Sequence, residues 1–517
     1  MKILLRLCLC LLLLLGSSCS SAQKSEALTL SQQDLFITLS AGKDDRIFYT
    51  TDGSLPDQDS LLYTEPFPII RNDRLALSDA EINVGSHHVY AGDVPAATVV
   101  RAIAVSPQGE VSEVLTRTCF AKQPELLTVS LIMDYTDLLD PQTGILVKGQ
   151  IYDDWAKTPE GQEILASGED WKCQGNYTQK GKDWERPVLL EIIDGDDTLL
   201  QPAGIRIKGD ASRVFPQRSF NIYFRERYGS DRLNYELLPG IASFRSFSLR
   251  NGGNDAVFLK FKDAWLQELL SPLNFTVQAS RPALVYINGE YWGIYDLQEK
   301  YSAASLKEHY GVEDVLIVKE GELDEGEDES AYNELLSFAR KDLSDPVVWQ
   351  QFQETVDTVS MADYFAAEIY IGNADWKLDR NFSLWRTVER GDGYSDGRWR
   401  FLLYDTEFSS SLYGKAETAA SFDHYRRALQ EFPFFAAAMR NEEFRELFRE
   451  SLYRVRNLFS EEAVNTSLDR YLSERGPYMP DFYRKFGNYS ANYDSTPIRD
   501  FFRERQEMAW YSGEQGR

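Results

Sequence analysis

Histidine and cysteine are scarce in this sequence: its 517 residues hold four histidines and five cysteines. Cys8, Cys10 and Cys19 fall in the first nineteen residues, which leaves Cys119 and Cys173 for the folded part. Two distant cysteines make neither a disulfide framework nor a zinc site. So few histidines give little material for a His/Cys metal centre or a Ser-His-Asp triad. Positive charge is also short, with 55 Lys and Arg against 81 Asp and Glu and a formal net charge of −26. That excludes the electrostatic footprint of a nucleic-acid binder. A polyanionic ligand would need a local basic pocket or a divalent cation against this field.

What is present is a globular composition, 43% hydrophobic and 26% charged, with 13% aromatic residues rich in Tyr and Phe. The length calls for two or three domains. Lys2 and Arg6 open the chain, and the apolar stretch Ile3 to Leu15 is too short to span a bilayer as a mature helix. Gly16-Ser17-Ser18 then precede Cys19. Small residues before a cysteine resemble the lipobox of bacterial lipoproteins, although Gly16 stands where an aliphatic is usual. This reading makes 1–19 a lipoprotein signal with Cys19 as the lipidated residue and 20–27 a tether. The protein would then be extracytoplasmic and held at a bacterial membrane, the outer membrane or cell surface. A plain secretory peptide cleaved nearby is the other reading.

From Leu28 to Lys122 short alternating runs are separated by Gly/Pro turns, the pattern of a β-sandwich. ALTLSQQDLFITLSA gives one strand pair, RIFYTTDGSLPD a strand and turn, and TVVRAIAVSPQGEVSEV a hairpin. From Pro124 strands are expected at 126–134 and 145–154, with a surface excursion at 155–187. Alternating strands follow in VLLEIIDGDD, GIRIKGDASR, RSFNIYFRERYG and FRSFSLRNGGND. A helix is expected from Ala256 to Leu270, and a hairpin in PALVYINGEYWGIYDLQEK turns at Asn288-Gly289. VLIVKEG (315–321) is a further strand and GELDEGEDES a solvated acidic loop. From Ala331 the periodicity is helical, with Ser460 placed as an N-cap. Strands first and helices second predict an α+β, bilobal architecture after the N-terminal sandwich.

Two resemblances follow from these residues. IFYTTDGSLPDQDSLLYTEPFPI with VVRAIAVSPQGEVSEV resembles the chitobiase/β-hexosaminidase C-terminal-type module, an immunoglobulin-like accessory sandwich. It implies a spacer over 28–122 or a surface that binds glycan or a partner. In the second half, NADWKLDRN sets Asp375 six positions before Asn381, and two strands then lead through FLLYDTEFS to Asp405. Protein kinases use this order of acid, amide, two strands, acid. Taken in sequence with GIRIKGDASRVFPQRSFNIYF, LRNGGNDAVFLKFKDAW and LVYINGEYWGIYDLQEKY, the stretch resembles the spore-coat-protein-H (CotH) kinase family. The resemblance implies an atypical kinase-like fold over 124–517 that uses ATP and Mg²⁺ or Mn²⁺.

Phosphoryl transfer needs metal ions and cations on phosphate oxygens, and an acid that orients the acceptor hydroxyl. Hard oxygen donors suit the metal. The resemblance makes Asp375 the catalytic acid/base and Asn381 and Asp405 metal ligands. Glu407 joins them where the family usually has Asp, and the gap from Asp375 to Asn381 is one residue longer than in ordinary kinases. On the phosphate side stand Gly209, Ser212 and Arg213, with Lys208 and Arg218 competing to be the phosphate-binding cation. Arg218 stands where the family often has lysine, and it presents a planar fork rather than a point charge. Glu299 would pair with that cation or join the metal site. Arg250 to Gly253 is read as a tight helix entry, with a second phosphate-facing turn as the other reading. The expected activity is transfer of the ATP γ-phosphoryl group to Ser/Thr of a surface or periplasmic partner. The alternatives are a non-catalytic binding or adhesion platform and, from its aromatics and carboxylates, a polysaccharide-processing protein.

Overall fold

The computed structural model describes residues 27–324, 327–487 and 493–508. The leader, Cys19 and the tether lie outside the described residues, as does part of the acidic loop. The N-terminal module is two small sheets. β1 (Thr29–Gln33), β2 (Phe36–Ser40) and β5 (Phe67–Pro68) form one. β3 (Arg46–Thr50), β4 (Leu61–Leu62), β6 (Ala97–Val105) and β7 (Leu115–Phe120) form the other. The expected β1–β2 hairpin is there, paired from Thr29–Ser40 to Gln33–Phe36. Ile37, Leu39, Val100 and Ala102 meet between the sheets because alternate residues of a strand share a face.

The second unit opens with a closed seven-stranded barrel in the order β10-β11-β12-β14-β13-β8-β9. Its strands are β8 (Thr128–Ile132), β9 (Arg186–Asp194), β10 (Asp197–Lys208), β11 (Ser219–Tyr223), β12 (Ser246–Arg250), β13 (Ser280–Ile287) and β14 (Glu290–Glu299). Ile205, Ile207, Phe220, Ile222, Phe247 and Leu249 fill it, so the alternate residues of β10–β12 point outward. The β13–β14 turn is at Asn288-Gly289, both at positive φ, 49° and 82°, as a two-residue hairpin of this hand demands. Asn288 also pins the barrel to the chain before it: its Oδ1 accepts from the Met133 amide at 2.8 Å, and its carbonyl accepts from Asn72 Nδ2 at 2.7 Å.

Two expectations for this unit fail. Residues 149–155 form a helix, not a strand, because the apolar run Ile145-Leu146-Val147 ends at Gly149, whose φ of 62° turns the chain. The region 155–187 is no loose excursion: a helix spans Pro159–Ser167 and three short 3₁₀ turns follow. Cys173 and Tyr177 from it pack with Val84 and Val214. The expected helix at 256–270 is shortened to Lys262–Leu270, since Lys260 has φ 69° and breaks the run.

After the barrel the chain turns helical around a small sheet of β15 (Val315–Lys319), β16 (Ser383–Thr387) and β17 (Arg400–Leu402). The helix Thr358–Ile371 is buried from Ser360 to Ile371 in the largest apolar cluster of the structure. It packs on the helix Glu442–Leu458, whose Phe444, Phe448, Leu452 and Val455 form the expected stripe. Ser460 caps the helix Glu461–Arg475 by accepting from the Ala463 amide. Lys208 of β10 and Arg250 of β12 reach Tyr404 and Asp405 of this helical half, and the candidate site lies at that contact.

Candidate active site

The buried helix Thr358–Ile371 stops at Gly372, which takes the left-handed conformation common at helix ends, φ 72°. The loop that follows is built by its own side chains. Asn373 Nδ2 donates to Glu368 Oε2 at 3.0 Å, and Asn373 Oδ1 accepts from the Asp375 amide at 3.1 Å. Asn381, strained at φ 52°, donates from Nδ2 to the Asp375 carbonyl at 2.8 Å. Arg380 pairs with Asp375 Oδ1 at 3.0 Å, yet the Asp375 side chain keeps 31% of its surface in solvent. Sequence spacing alone therefore puts Asp375 and Asn381 in contact. The Ala374 amide donates to the Phe408 carbonyl at 2.9 Å, which joins this loop to the segment carrying Asp405.

Asp405 follows β17 and the buried Leu403, whose amide donates to the Thr276 carbonyl at 2.8 Å. Its own φ is 56°, so the backbone turns sharply out of the strand there. Arg250 Nη2 lies 2.5 Å from Asp405 Oδ1 and 2.5 Å from Glu407 Oε2. Behind it, Arg250 Nε is 3.7 Å from Asp263, which accepts from the amide and hydroxyl of Thr406 and from Gln298. Burial pushes the Asp405 carboxyl up, but the Arg250 guanidinium more than offsets it and holds the group well below the ordinary carboxylate range. Glu407 goes the other way. Burial first, then the charge of Asp405, raises it far above its ordinary value despite Arg250. The one guanidinium thus favours the charged form of Asp405, while burial disfavours that of Glu407.

Glu407 is also wedged in place. Its Oε1 accepts from the Asn254 amide at 3.3 Å, and a Cβ on Gly253 (φ 55°) would stand 1.9 Å from that oxygen. The turn Arg250 to Gly253, expected to be a helix entry or a second phosphate-facing turn, is what grips the two acids. Sequence reading missed this, and a charged residue ending a strand just before Asn-Gly-Gly was the available signal.

Lys208 reaches this centre as the sequence suggested. Its Nζ is 5.8 Å from the Tyr404 ring centroid. Burial, with the charges of Arg250 and Lys319, pushes its pKa down to about 7. Lys319, at the end of β15, was not anticipated; its Nζ is 4.7 Å from the same ring. Gly209 takes φ 108°, which requires glycine, and Ser212 lies directly over it.

The remaining expected cations are turned elsewhere. Arg213 donates from Nε to the Gly209 carbonyl at 2.5 Å and from Nη1 to Gln179 at 2.7 Å. Arg218 is fully buried, donates to the carbonyls of Arg213 and Ile82, and stacks 4.4 Å from the Tyr177 ring. Backbone carbonyls hold both side chains, and among the described residues neither pairs with Asp405. Glu299 does not meet a lysine either: His309 Nε2 sits 2.8 and 2.9 Å from its two oxygens, and this bond raises the histidine pKa.

The comparison with known families fits this geometry. Residues 205–509 match the family model described as CotH kinase protein. The chain belongs to the CotH kinase family. Residues 37–119 match the model described as Fn3 associated, which covers the N-terminal sandwich. No curated protein matches the chain. Membership of the CotH family supports a kinase that uses ATP and, in general, a divalent metal. Among the described residues no three His, Cys, Asp or Glu side chains form a metal cluster, and no helix is long and apolar enough to cross a membrane. Mg²⁺ commonly takes one or two protein ligands and completes its shell with water and phosphate. Asp405, ionised and with 29% of its side chain exposed, fits that demand. So does the amide oxygen of Asn381, which accepts no hydrogen bond among the described residues. Glu407, enclosed and held by Arg250 Nη2 and the Asn254 amide, fits the role of a wedge behind Asp405 better than that of a ligand.

Proposed function

We propose that this CotH-family chain is an active kinase that transfers the γ-phosphoryl group of ATP to a Ser or Thr hydroxyl of a surface or periplasmic protein, from a position outside the cytoplasm held by a lipid on Cys19. The domain limits 28–122 and 124–517 belong to this reading. The observation that carries it is the pinning of Asp405: an ionised, part-exposed carboxylate locked by Arg250, with Lys208 and Lys319 across the Tyr404 ring. Asp405 and Asn381 would hold the metal, which when bound neutralises charge building on the phosphates. Lys208 and Lys319 meet the phosphate oxygens. Asp375, in solvent contact at the loop, orients the acceptor hydroxyl and takes its proton.

The test is a melting assay with MgATP followed by phosphate transfer to a protein acceptor. MgATP should stabilise the protein, and Asp405→Asn should abolish the stabilisation. A wild-type protein indifferent to nucleotide and metal would overturn the proposal. A second reading, a non-catalytic binding platform with a glycan- or protein-binding sandwich, draws on the ion pairs Arg380–Asp375 and Arg250–Asp405, which already neutralise both acids.

A further inference from the structure

Beside the Asp405 centre, on the outward face of β10 and β11, stands a second group of cations. Along β10 the outward residues are Gly204, Arg206 and Lys208, the last of them at Tyr404. Tyr223 lies opposite Gly204 on β11. Around its ring centroid stand Arg206 at 4.1 Å, Arg225 at 5.1 Å and Lys300 at 5.8 Å. One buried carboxylate, Glu185, serves Arg206, Arg225 and the more exposed Arg227. Lys300 makes no salt bridge among the described residues; Asp324 offsets it only at longer range. Burial first, then the cations Lys319 and Arg206, push Lys300 down to about 8. Lys319 acts on both Lys300 and Lys208, so the Tyr223 and Tyr404 clusters are neighbours. In a chain of net charge −26, such a run of under-compensated cations costs stability unless an anion fills it.

The barrel wall between the clusters is polar as well. Ser219, Asn221, Ser246 and Ser248 face outward between the rims, while the aliphatic residues of the same strands point into the barrel. A nucleobase asks for apolar faces to sandwich it. Here Tyr223 is already covered by Arg206, and Tyr404 has Lys208 and Lys319 over its ring. A donor that is anionic along its whole length matches this lining better.

We propose that the Tyr223 cluster is a second phosphate subsite in line with the first, and that the two together accept linear inorganic polyphosphate as a phosphoryl donor. This rests on the phosphoryl-transfer reading above. The chemistry is the same transfer. The acceptor oxygen bonds to the terminal phosphorus, and the terminal P–O–P bond breaks. The chain leaves one phosphate shorter, with the electron pair on its new terminal oxygen, and the acceptor proton goes to Asp375. The outer phosphates would lie against Lys208 and Lys319, and those farther along against Arg206, Arg225 and Lys300.

The experiment measures Mg²⁺-dependent binding of the full chain to MgATP, to inorganic tripolyphosphate and to a long polyphosphate. In the wild type, affinity should rise from tripolyphosphate to the long chain. Lys300→Gln removes a cation with no salt bridge, so folding should survive it. It should weaken the long chain about tenfold and leave MgATP binding unchanged. Arg206→Gln, which leaves Glu185 paired with Arg225 and Arg227, should do the same. If MgATP binds but chain length makes no difference, or if both variants bind long chains as the wild type does, the subsite is wrong and the kinase reading stands. If long polyphosphate binds and loses affinity in the variants while MgATP does not bind at all, the subsite stands and ATP as donor is wrong.

Discussion

Glu368 offers a sharp test of how the loop from Asn373 to Asn381 is held. Its side chain is fully buried one turn before the loop, where it accepts from Asn373 Nδ2 at 3.0 Å. Burial raises its pKa from the ordinary 4.5 to about 8, assisted by the charges of Asp263 and Asp405 and opposed by its hydrogen bonds to Asn373 and Tyr364. The unfolded chain ionises this group near pH 4.5, whereas the folded chain keeps the proton to about pH 8. Its contribution to stability is therefore whole below pH 4.5, declines as the pH climbs, and is lost above 8. The interval corresponds to at most about 5 kcal/mol. Glu368→Gln keeps a carbonyl oxygen for Asn373 and cannot ionise. Guanidinium unfolding at pH 5, 7 and 9 should show the variant close to wild type at pH 5 and several kcal/mol more stable at pH 9. Parallel profiles, with a gap that never changes by about 1 kcal/mol, would refute a buried protonated Glu368.

Three further outcomes follow from the site. Arg250→Met strands Asp405, Glu407 and Asp263 without their cation and should cost about 3–5 kcal/mol in urea unfolding; adding Glu407→Gln should recover part of that loss, because it removes one acid. Gly253→Ala places a Cβ in the space of Glu407 Oε1 at a φ of 55°, so it should lose MgATP stabilisation while circular dichroism shows an intact fold, at about 1–3 kcal/mol of strain. Asp375→Asn should keep MgATP binding but lower transfer about 10²–10⁴-fold, measured as phosphate incorporated into an acceptor protein.

Local patterns carried much of this protein. Strand alternation in GIRIKGDASR and RSFNIYF placed Ile205, Ile207, Phe220 and Ile222 inside the barrel, and Asn288-Gly289 marked its tightest hairpin. The order Asp375, Asn381, β16, β17, Asp405 was readable because those residues lie within one stretch of chain. The misreadings have local causes too. A three-residue apolar run looked like a strand where Gly149 starts a helix, and a Trp- and Gly-rich region looked solvated although its own Tyr177 is buried.

Sequence by itself thus determined the two units, the inward faces of their strands and the short-range loop that couples Asp375 to Asn381. Tertiary structure alone decided which cations matter. Arg213 and Arg218 stand in the stretch where a phosphate site was expected, but each is absorbed by nearby carbonyls. Arg250, 155 residues before Asp405, takes up that acid instead, and Lys319 arrives from the other lobe. The reason is physical. A hydrogen-bonded loop or an alternating strand is fixed by neighbours in the chain, whereas the charge state of Asp405 and Glu407 depends on burial and on groups that meet only when the barrel closes over the helical half.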